Sequence, residues 1–222
     1  MSQYKVVEKF ISINGEGVLA GQIAVFIRFQ GCNLSCSFCD TEWSNKKDAD
    51  FTFMTEQQIY DYIKETGIKN VTLTGGEPLL APNIIHLLQL LSTDNFLHTE
   101  IETNGSIDLA PFIGISNPPT FTMDYKLPGS LMETKMLASN FSLLTKKDTI
   151  KFVVGSTVDL NRAKEIIEAY DLTAKCHVYI SPVFGKINLE EMVDYLKLNC
   201  MNGVTMQLQM HKIIWDPNKR GV

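Results

Sequence analysis

The amino-acid sequence predicts an α/β fold built on a mostly parallel sheet. Short apolar runs typical of buried strands alternate with segments of helical periodicity, and polar motifs directly follow several of the apolar runs. Strands that alternate with helices form βαβ units with parallel strands. No internal repeat or linker divides the 222 residues. We therefore expect a single domain over 1–222, with an N-terminal hairpin at 4–20, a core at 21–210 and a C-terminal tail at 211–222.

The first half of the chain gives clear local signals for strands and helices. Asn14-Gly15 is a hairpin signal after the first strand pattern. Thr55 and Gln58 match a capping box that opens a helix, and Gly67 is placed to end it. The predicted strands cover 4–13, 23–29, 71–73 and 97–102, and a second helix covers 84–91.

The second half of the chain continues the same alternation with fewer turn signals. Strands are predicted over 121–125, 149–154, 177–181 and 205–209, and helices over 159–169 and 189–198. The apolar content of 45% and the charged content of 20% are ordinary for a globular protein.

Charge and hydropathy exclude several classes of partner. The net charge of −5 and the pI near 5.4 argue against broad binding to a phosphate backbone, so we expect no nucleic acid partner. No apolar run is long enough to span a bilayer, and the first residues lack the apolar segment of a signal peptide. We expect a cytoplasmic, reducing location and no membrane association. There, clustered cysteines are metal ligands more often than disulfides.

Cys32, Cys36 and Cys39 form a C-x3-C-x2-C motif in the loop after the second predicted strand. Three thiolates on one loop can converge on a metal centre, and soft sulfur ligands select zinc, copper or iron–sulfur clusters. Structural zinc needs a fourth ligand, so a structural zinc site completed by a distant His or Cys is the alternative. We favour a [4Fe-4S] cluster held by three cysteines, which leaves one iron open to another ligand.

Other polar motifs also follow predicted strands. In parallel α/β sheets, ligands bind at the carboxyl ends of the strands. The cysteine loop would therefore share one edge of the sheet with Thr74–Glu77, Glu102–Asn104, Tyr125–Lys126 and Gln209–His211. This pattern predicts a single active site at that edge.

The cysteine motif, with Phe38 before its last cysteine, and the later Gly75-Gly76-Glu77-Pro78 segment resemble the radical S-adenosylmethionine (SAM) enzymes. The resemblance implies a partial, open β/α barrel like a TIM barrel, with SAM chelating the open iron. A 5′-deoxyadenosyl radical formed from SAM then abstracts a substrate hydrogen, so no side chain is expected to be the abstracting group. The SAM-binding residues that it implies are Phe38, Cys39, Asp40, Gly76, Glu77, Asn104, Asp124, Tyr125 and Lys126.

A finer resemblance links the chain to the 7-carboxy-7-deazaguanine synthases of queuosine and deazapurine biosynthesis. It rests on the segments 10–17, 26–34, 39–41, 102–105 and 208–212. Such enzymes are lyases that convert 6-carboxy-5,6,7,8-tetrahydropterin to 7-carboxy-7-deazaguanine and release ammonia. The substrate-binding residues that the resemblance implies are Ile13, Asn14, Gly15, Glu16, Arg28, Thr74 and His211, and the implied Mg²⁺ ligand is Thr41.

This chain departs from the family pattern at two places. The family often has Gln where Asn14 stands, and Ser-Pro-Lys where Asp124-Tyr125-Lys126 stands. The SAM contacts expected from residues 124 and 125 rest on the weaker part of the match.

Several site residues have structural alternatives. Arg28 lies inside an apolar strand, where a buried cation needs a partner; we favour the substrate carboxylate, and an ion pair with Glu16 or another acid is the alternative. Asp40-Thr41 also fits an Asx or Ser/Thr turn. A single residue such as His211 at a strand end is often only a surface residue.

The resemblance also predicts partners and leaves rival functions. It implies a homodimer and an electron donor such as flavodoxin or ferredoxin. The nearest rival is a radical-SAM activase that installs a glycyl radical on a partner protein. A non-enzymatic rival is an interaction module that binds zinc or a cluster.

Overall fold

The computed structural model describes residues 2–222, which form one nine-stranded sheet. The strands are β1 Tyr4–Ile13, β2 Ile23–Phe29, β3 Thr52–Met54, β4 Asn70–Gly75, β5 His98–Thr103, β6 Thr120–Tyr125, β7 Thr149–Val154, β8 His177–Pro182 and β9 Val204–Met206. The helices are α1 Glu42–Asn45, α2 Glu56–Thr66, α3 Ile84–Ser92, α4 Ala110–Ile113, α5 Thr157–Ala169, α6 Leu172–Lys175, α7 Leu189–Leu198 and α8 Met210–Ile214. No helix in this part of the chain is long and apolar enough to cross a membrane.

The strand order is β3-β1-β2-β4-β5-β6-β7-β8-β9. β1 runs antiparallel to β2 and β3, whereas every neighbouring pair from β2–β4 to β8–β9 is parallel. β3 and β9 are separate edges, so the sheet is open and does not close into a complete barrel. The prediction of an open, mostly parallel α/β sheet is confirmed.

One face of the sheet is apolar and the other is polar, because side chains alternate along each strand. On the apolar face, Ile27, Ile101 and Phe152 pack in one core with Leu87 of α3 and Leu160 of α5. Buried polar side chains on the strands include Thr72, Thr74, Glu100, Thr122 and Lys151. Parallel strands usually read as continuous apolar runs, so this polar face calls for a functional explanation.

The predicted capping signals of α2 are present. Thr55 Oγ1 accepts a hydrogen bond from Gln58 N at 3.2 Å, and Gln58 Oε1 accepts one from Thr55 N at 2.9 Å. Gly67 ends the helix with φ +67°, and its N–H donates to Lys64 O. Glycine adopts this left-handed conformation without the steric cost of a Cβ.

The last strand and the segment after it differ from the prediction. β9 ends at Met206 rather than at residue 209. Gln207 N still donates to Ile180 O of β8 at 3.0 Å, and the chain then turns into α8. His211 therefore lies in α8 and not at a strand end. β7 and α7 have their predicted bounds, whereas β3 and the short helices α1, α4, α6 and α8 were not predicted.

Candidate active site

A cavity of about 780 Å³ lies at the carboxyl ends of the parallel strands. Its walls come from the cysteine loop (residues 32–41), the polar face of the sheet, the hairpin loop between β1 and β2 (residues 14–22) and the end of the chain. The predicted site residues that line it are Ile13, Gly15, Glu16, Arg28, Cys32, Cys36, Phe38, Cys39, Asp40, Thr41, Thr74, Gly76, Asn104, Asp124, Lys126 and His211. The structure thus brings most of the predicted site to one cavity.

Two glycines attach the cysteine loop to the end of β4. Gly76 N donates to Phe29 O at 3.3 Å, and Glu77 N donates to Gly31 O at 2.9 Å. Gly75 has φ +143°, and a Cβ on Gly76 would lie 2.5 Å from the Gly31 carbonyl carbon. Gly76 is one of the predicted SAM-binding residues, and it lines the cavity. The two glycines also admit the protein's own backbone, which holds the beginning of the cysteine loop against the sheet.

The three thiols of the cysteine loop are partly buried and open on the cavity. Asn104 Nδ2 lies 3.5 Å from Cys32 Sγ, and Cys39 N donates to Cys36 O at 3.2 Å. Burial raises the pKa of the Cys32 and Cys36 thiols, while nearby Lys126 acts to lower that of Cys36.

The donor set of the cysteine loop is three thiols on one wall of the cavity. Thiolates are soft ligands, which suit zinc or an iron–sulfur cluster. The cavity beside them leaves room for a further ligand at such a centre.

The Glu77 carboxylate is occupied by the protein and is not brought to the cavity surface. It accepts hydrogen bonds from Leu79 N at 3.0 Å, Thr103 Oγ1 at 3.0 Å and Asn104 N at 2.7 Å. Burial raises the pKa of Glu77 to about 7, although these donors act to lower it. Glu77 thus joins the ends of β4 and β5, and its contact with SAM stays a prediction.

Asn14 also lies behind the cavity wall. Its Oδ1 accepts a hydrogen bond from Thr72 Oγ1 at 2.9 Å, and its backbone N donates to Gln22 O at 2.8 Å. The side chain is almost fully buried. Asn14 thus closes the hairpin loop, and the structure does not place it against the predicted substrate space.

Tyr125 lies on the apolar face of β6. Its ring centroid is 5.6 Å from that of Phe141 and 5.7 Å from that of Phe152. Alternate residues of a strand face opposite sides, so Asp124 and Lys126 reach the cavity while Tyr125 packs in the core.

Charged side chains form a connected floor in the cavity. Lys151 Nζ lies 2.9 Å from Glu16 Oε2 and 3.0 Å from Asp124 Oδ1, and Lys126 Nζ lies 2.8 Å from Asp124 Oδ2. Burial acts to lower the pKa of Lys151, but Asp124, Glu16 and Glu102 hold it well above its ordinary value. Burial acts to raise the pKa of Asp124, but the two ammonium groups hold it below its ordinary value. Lys151 and Asp124 are therefore ionised at neutral pH.

Arg28 reaches the cavity from β2 and forms the ion pair that was its structural alternative. Its Nε lies 3.0 Å from Glu8 Oε2, and its guanidinium carbon lies 5.9 Å from the centre of the Phe10 ring. The paired acid is Glu8, whereas Glu16 pairs with Lys151. A guanidinium has five N–H donors, so this single bond leaves Arg28 able to bind an anion from the cavity side.

The end of the cysteine loop is tied to α8. Lys212 Nζ lies 3.0 Å from Asp40 Oδ2. Burial acts to raise the pKa of Asp40, but Lys212 and His211 hold it below its ordinary value. Burial lowers the pKa of His211. The His211 ring lies close to Gly15, since a Cβ added to Gly15 would be 2.6 Å from His211 Nδ1. The Thr41 hydroxyl lies 3.7 Å from Cys39 Sγ and does not cap α1.

The end of the chain closes on the hairpin loop. Gln207 Oε1 accepts a hydrogen bond from Gly17 N at 2.6 Å, and its Nε2 donates to Gly17 O at 3.1 Å. Gln209 Nε2 lies 3.4 Å from Glu16 Oε2. Farther on, the Arg220 guanidinium lies 3.9 Å from the centre of the Trp43 ring, and Pro217–Val222 line the cavity.

Several cavity residues had no assigned role in the sequence prediction: Glu8, Phe10, Trp43, Glu102, Lys151, Lys212 and Arg220. For Lys151 a signal existed, because it is a charged residue inside the apolar strand β7 and such a residue needs a partner. Glu8, Trp43 and Arg220 lie in segments with no comparable pattern.

Comparisons with known proteins show the family and the fold of the chain. Residues 26–199 match the Radical SAM superfamily. The chain is 62% identical over 219 residues to a 7-carboxy-7-deazaguanine synthase of Clostridium acetobutylicum, and the match covers 99% of each chain. It is 35% identical to one of Methanospirillum hungatei, over 97% of this chain and 87% of the relative. The crystal structure of QueE from Escherichia coli matches with a TM-score of 0.71 at 20% identity, over 94% of this chain and 95% of that one, and shows a common fold.

Proposed function

The chain belongs to the radical SAM superfamily and, within it, to the family of 7-carboxy-7-deazaguanine synthases, and on that premise we propose its reaction. It converts 6-carboxy-5,6,7,8-tetrahydropterin to 7-carboxy-7-deazaguanine and releases ammonia. The observation that carries the proposal is that a cation and a carboxylate, Arg28 and Glu16, line the same cavity as the three cysteines. That cavity can hold a carboxylated, hydrogen-bonding ring beside a cluster.

The cofactors of the enzyme are a [4Fe-4S] cluster and SAM. When bound, they supply the 5′-deoxyadenosyl radical that removes a hydrogen from C6 of the pterin. We assign the cluster to the thiols of Cys32, Cys36 and Cys39. We assign SAM to the adjoining wall, where Phe38, Asp40, Gly76, Asn104, Asp124 and Lys126 line the cavity.

Arg28 is the group proposed to bind the substrate carboxylate. Its ion pair with Glu8 fixes the guanidinium on the polar face of the sheet. The remaining N–H donors suit a carboxylate, which accepts two parallel hydrogen bonds from such a group. Glu8 is thus proposed to position Arg28, so the ion pair and the substrate contact are compatible.

Glu16 is the group proposed to accept N–H bonds from the pterin ring. Its Oε2 is held by Lys151 and Gln209, while its Oε1 has no hydrogen-bond partner among residues 2–222. A buried carboxylate oxygen without a partner is costly. A ring N–H donor would remove that cost, and Thr74 and His211 would contact the same ligand from other walls.

Further parts of the proposal rest on the family resemblance and on position. The Thr41 hydroxyl would ligate Mg²⁺ together with substrate oxygens and water, since Mg²⁺ commonly takes only one or two protein ligands. The enzyme would act in the cytoplasm as a homodimer, with flavodoxin or ferredoxin as electron donor.

The proposal is tested with anaerobically reconstituted protein, SAM, a reductant and the carboxytetrahydropterin. We expect carboxydeazaguanine and ammonia as products. Arg28→Ala should retain cleavage of SAM but lower kcat/KM for the pterin about 100-fold, because one partner of a charge pair is lost. Arg162→Ala, on α5 outside the cavity, is the matched control. Absence of product from wild-type protein with an intact cluster would refute the substrate assignment.

An activase that acts on a partner protein is not favoured. The relatives named as synthases match this chain over nearly its whole length. An activase would also have no need for Arg28 as a carboxylate-binding group. Arg28→Ala should therefore lower the activity of a synthase and leave that of an activase unchanged.

A further inference from the structure

Lys151 is the most enclosed cation of the cavity floor. Its side chain is 9% exposed and stands in the middle of β7. It is the cross-strand neighbour of Asp124 on β6, whereas Glu16 comes from the hairpin loop, 135 positions earlier in the chain. Lys151 thus connects the wall formed by β6 with the wall formed by the hairpin loop, two segments that are far apart in the sequence.

The two carboxylates that Lys151 bridges belong to different halves of the proposed site. Glu16 faces the pterin space, and its free Oε1 is the atom proposed to accept ring N–H groups. Asp124 faces the SAM wall and pairs on its other oxygen with Lys126 at 2.8 Å. Among the described residues, Lys151 is the cation that contacts both carboxylates.

We propose that Lys151 is a positioning residue that holds Glu16 and Asp124 in one fixed arrangement, and so keeps the pterin in register with SAM. This inference rests on the proposed function. One ammonium group between the two carboxylates fixes the distance between substrate wall and SAM wall. Hydrogen abstraction requires the reacting atoms to be close and aligned, and a misplacement of about 1 Å can lower the rate about 100-fold.

A neutral side chain of similar length removes the bridge and keeps most of the volume. In Lys151→Met, Glu16 and Asp124 lose their common partner, and we expect each to reorient toward water or another donor. SAM can still be cleaved, but the radical is then less often used on the pterin. The expected result is a higher ratio of 5′-deoxyadenosine to carboxydeazaguanine, together with a roughly 100-fold lower kcat/KM for the pterin.

The experiment compares wild-type, Lys151→Met, Lys151→Arg and Lys69→Met proteins. Iron and sulfide content and circular dichroism are measured first, so that activity is compared between folded, cluster-bearing proteins. Lys151→Arg retains the charge and should recover part of the product yield. Lys69 is exposed at the amino end of β4, away from the cavity, and its substitution should change nothing. A wild-type ratio and KM in Lys151→Met would overturn the proposal.

A double variant covers the case in which Lys151→Met does not fold. Glu16→Gln combined with Lys151→Met removes one charge of each sign, so it leaves fewer unpaired buried charges. If Lys151 acts by positioning Glu16, the double variant should have a kcat/KM for the pterin close to that of Glu16→Gln alone. A further loss of about 100-fold in the double variant would contradict the proposal. Absence of product from wild-type and Lys69→Met proteins would instead refute the proposed function, so the two failures are distinguishable.

Discussion

Substitution of Gly76 by alanine should detach the cysteine loop from the sheet. The added Cβ would lie 2.5 Å from the Gly31 carbonyl carbon, with Gly31 O and Asn45 Oδ1 closer still. Ordinary carbon–carbon contacts are about 3.5–4.0 Å, so the loop must move by about 1 Å. That movement would also break or lengthen the bond from Glu77 N to Gly31 O, now 2.9 Å.

The cost of Gly76→Ala follows from these contacts. Overpacking costs about 1–3 kcal/mol and a lost hydrogen bond about 1 kcal/mol. Together they should lower the melting temperature by about 5–15 °C. Because Cys32 follows Gly31, the variant should also retain well under the four irons of a complete cluster after anaerobic reconstitution.

Iron analysis and thermal unfolding test this reasoning. Gly114→Ala is the matched control, because a Cβ there meets open space and φ is −81°; it should change stability by less than about 0.5 kcal/mol. If Gly76→Ala binds iron and unfolds like wild type, close backbone packing does not hold the cysteine loop.

Substitutions of Glu100, Thr55 and Arg220 test three other features. Burial raises the pKa of Glu100 to about 7, so the native state binds a proton that the unfolded chain releases, and stability falls as pH rises from about 4.5 to 7. In urea unfolding of cofactor-free protein, the free energy of unfolding of Glu100→Gln minus that of wild type should increase by about 2–3 kcal/mol from pH 5 to pH 8. A difference that does not change with pH would contradict this. Thr55→Ala should lower the free energy of unfolding by about 1 kcal/mol; no loss would mean that the cap is not stabilising. Arg220→Met removes the contact with Trp43 and should raise KM for the pterin about 2- to 5-fold at constant kcat, and an unchanged KM would show that this contact does not order the tail.

The long elements were predictable because their patterns repeat within the element itself. β7 and α7 have the predicted bounds, and the capping box at Thr55 with Gly67 marks both ends of α2. β3 and the short helices contain three to five residues, too few for a period to appear. The predicted strand over 205–209 extends past the structure's β9, whose register with β8 ends at Met206.

The site was predictable where chemistry is local and unpredictable where it depends on partners. The cysteine motif lies within one loop, so its residues could be named from spacing alone. The partner of Arg28 could not be predicted in this way. Glu8 and Glu16 are both acids in or near the hairpin, and the geometry of the hairpin decides which of them reaches Arg28. The partners of Glu77 could not be predicted either, because its carboxylate accepts bonds from Thr103 and Asn104, which only the folded sheet brings close to it.

The closure of the chain end on the hairpin loop has a consequence for biosynthesis of the enzyme. The contacts that hold the beginning of the cysteine loop, made by Gly76, Glu77 and Asn104, lie within residues 29–104, so they can form early on the ribosome. The proposed substrate half also needs Gln207, which bonds to Gly17 across 190 positions. At about 5–20 residues per second, synthesis of the intervening chain takes on the order of ten seconds. A nascent chain can thus present its thiols to iron well before it can hold a pterin.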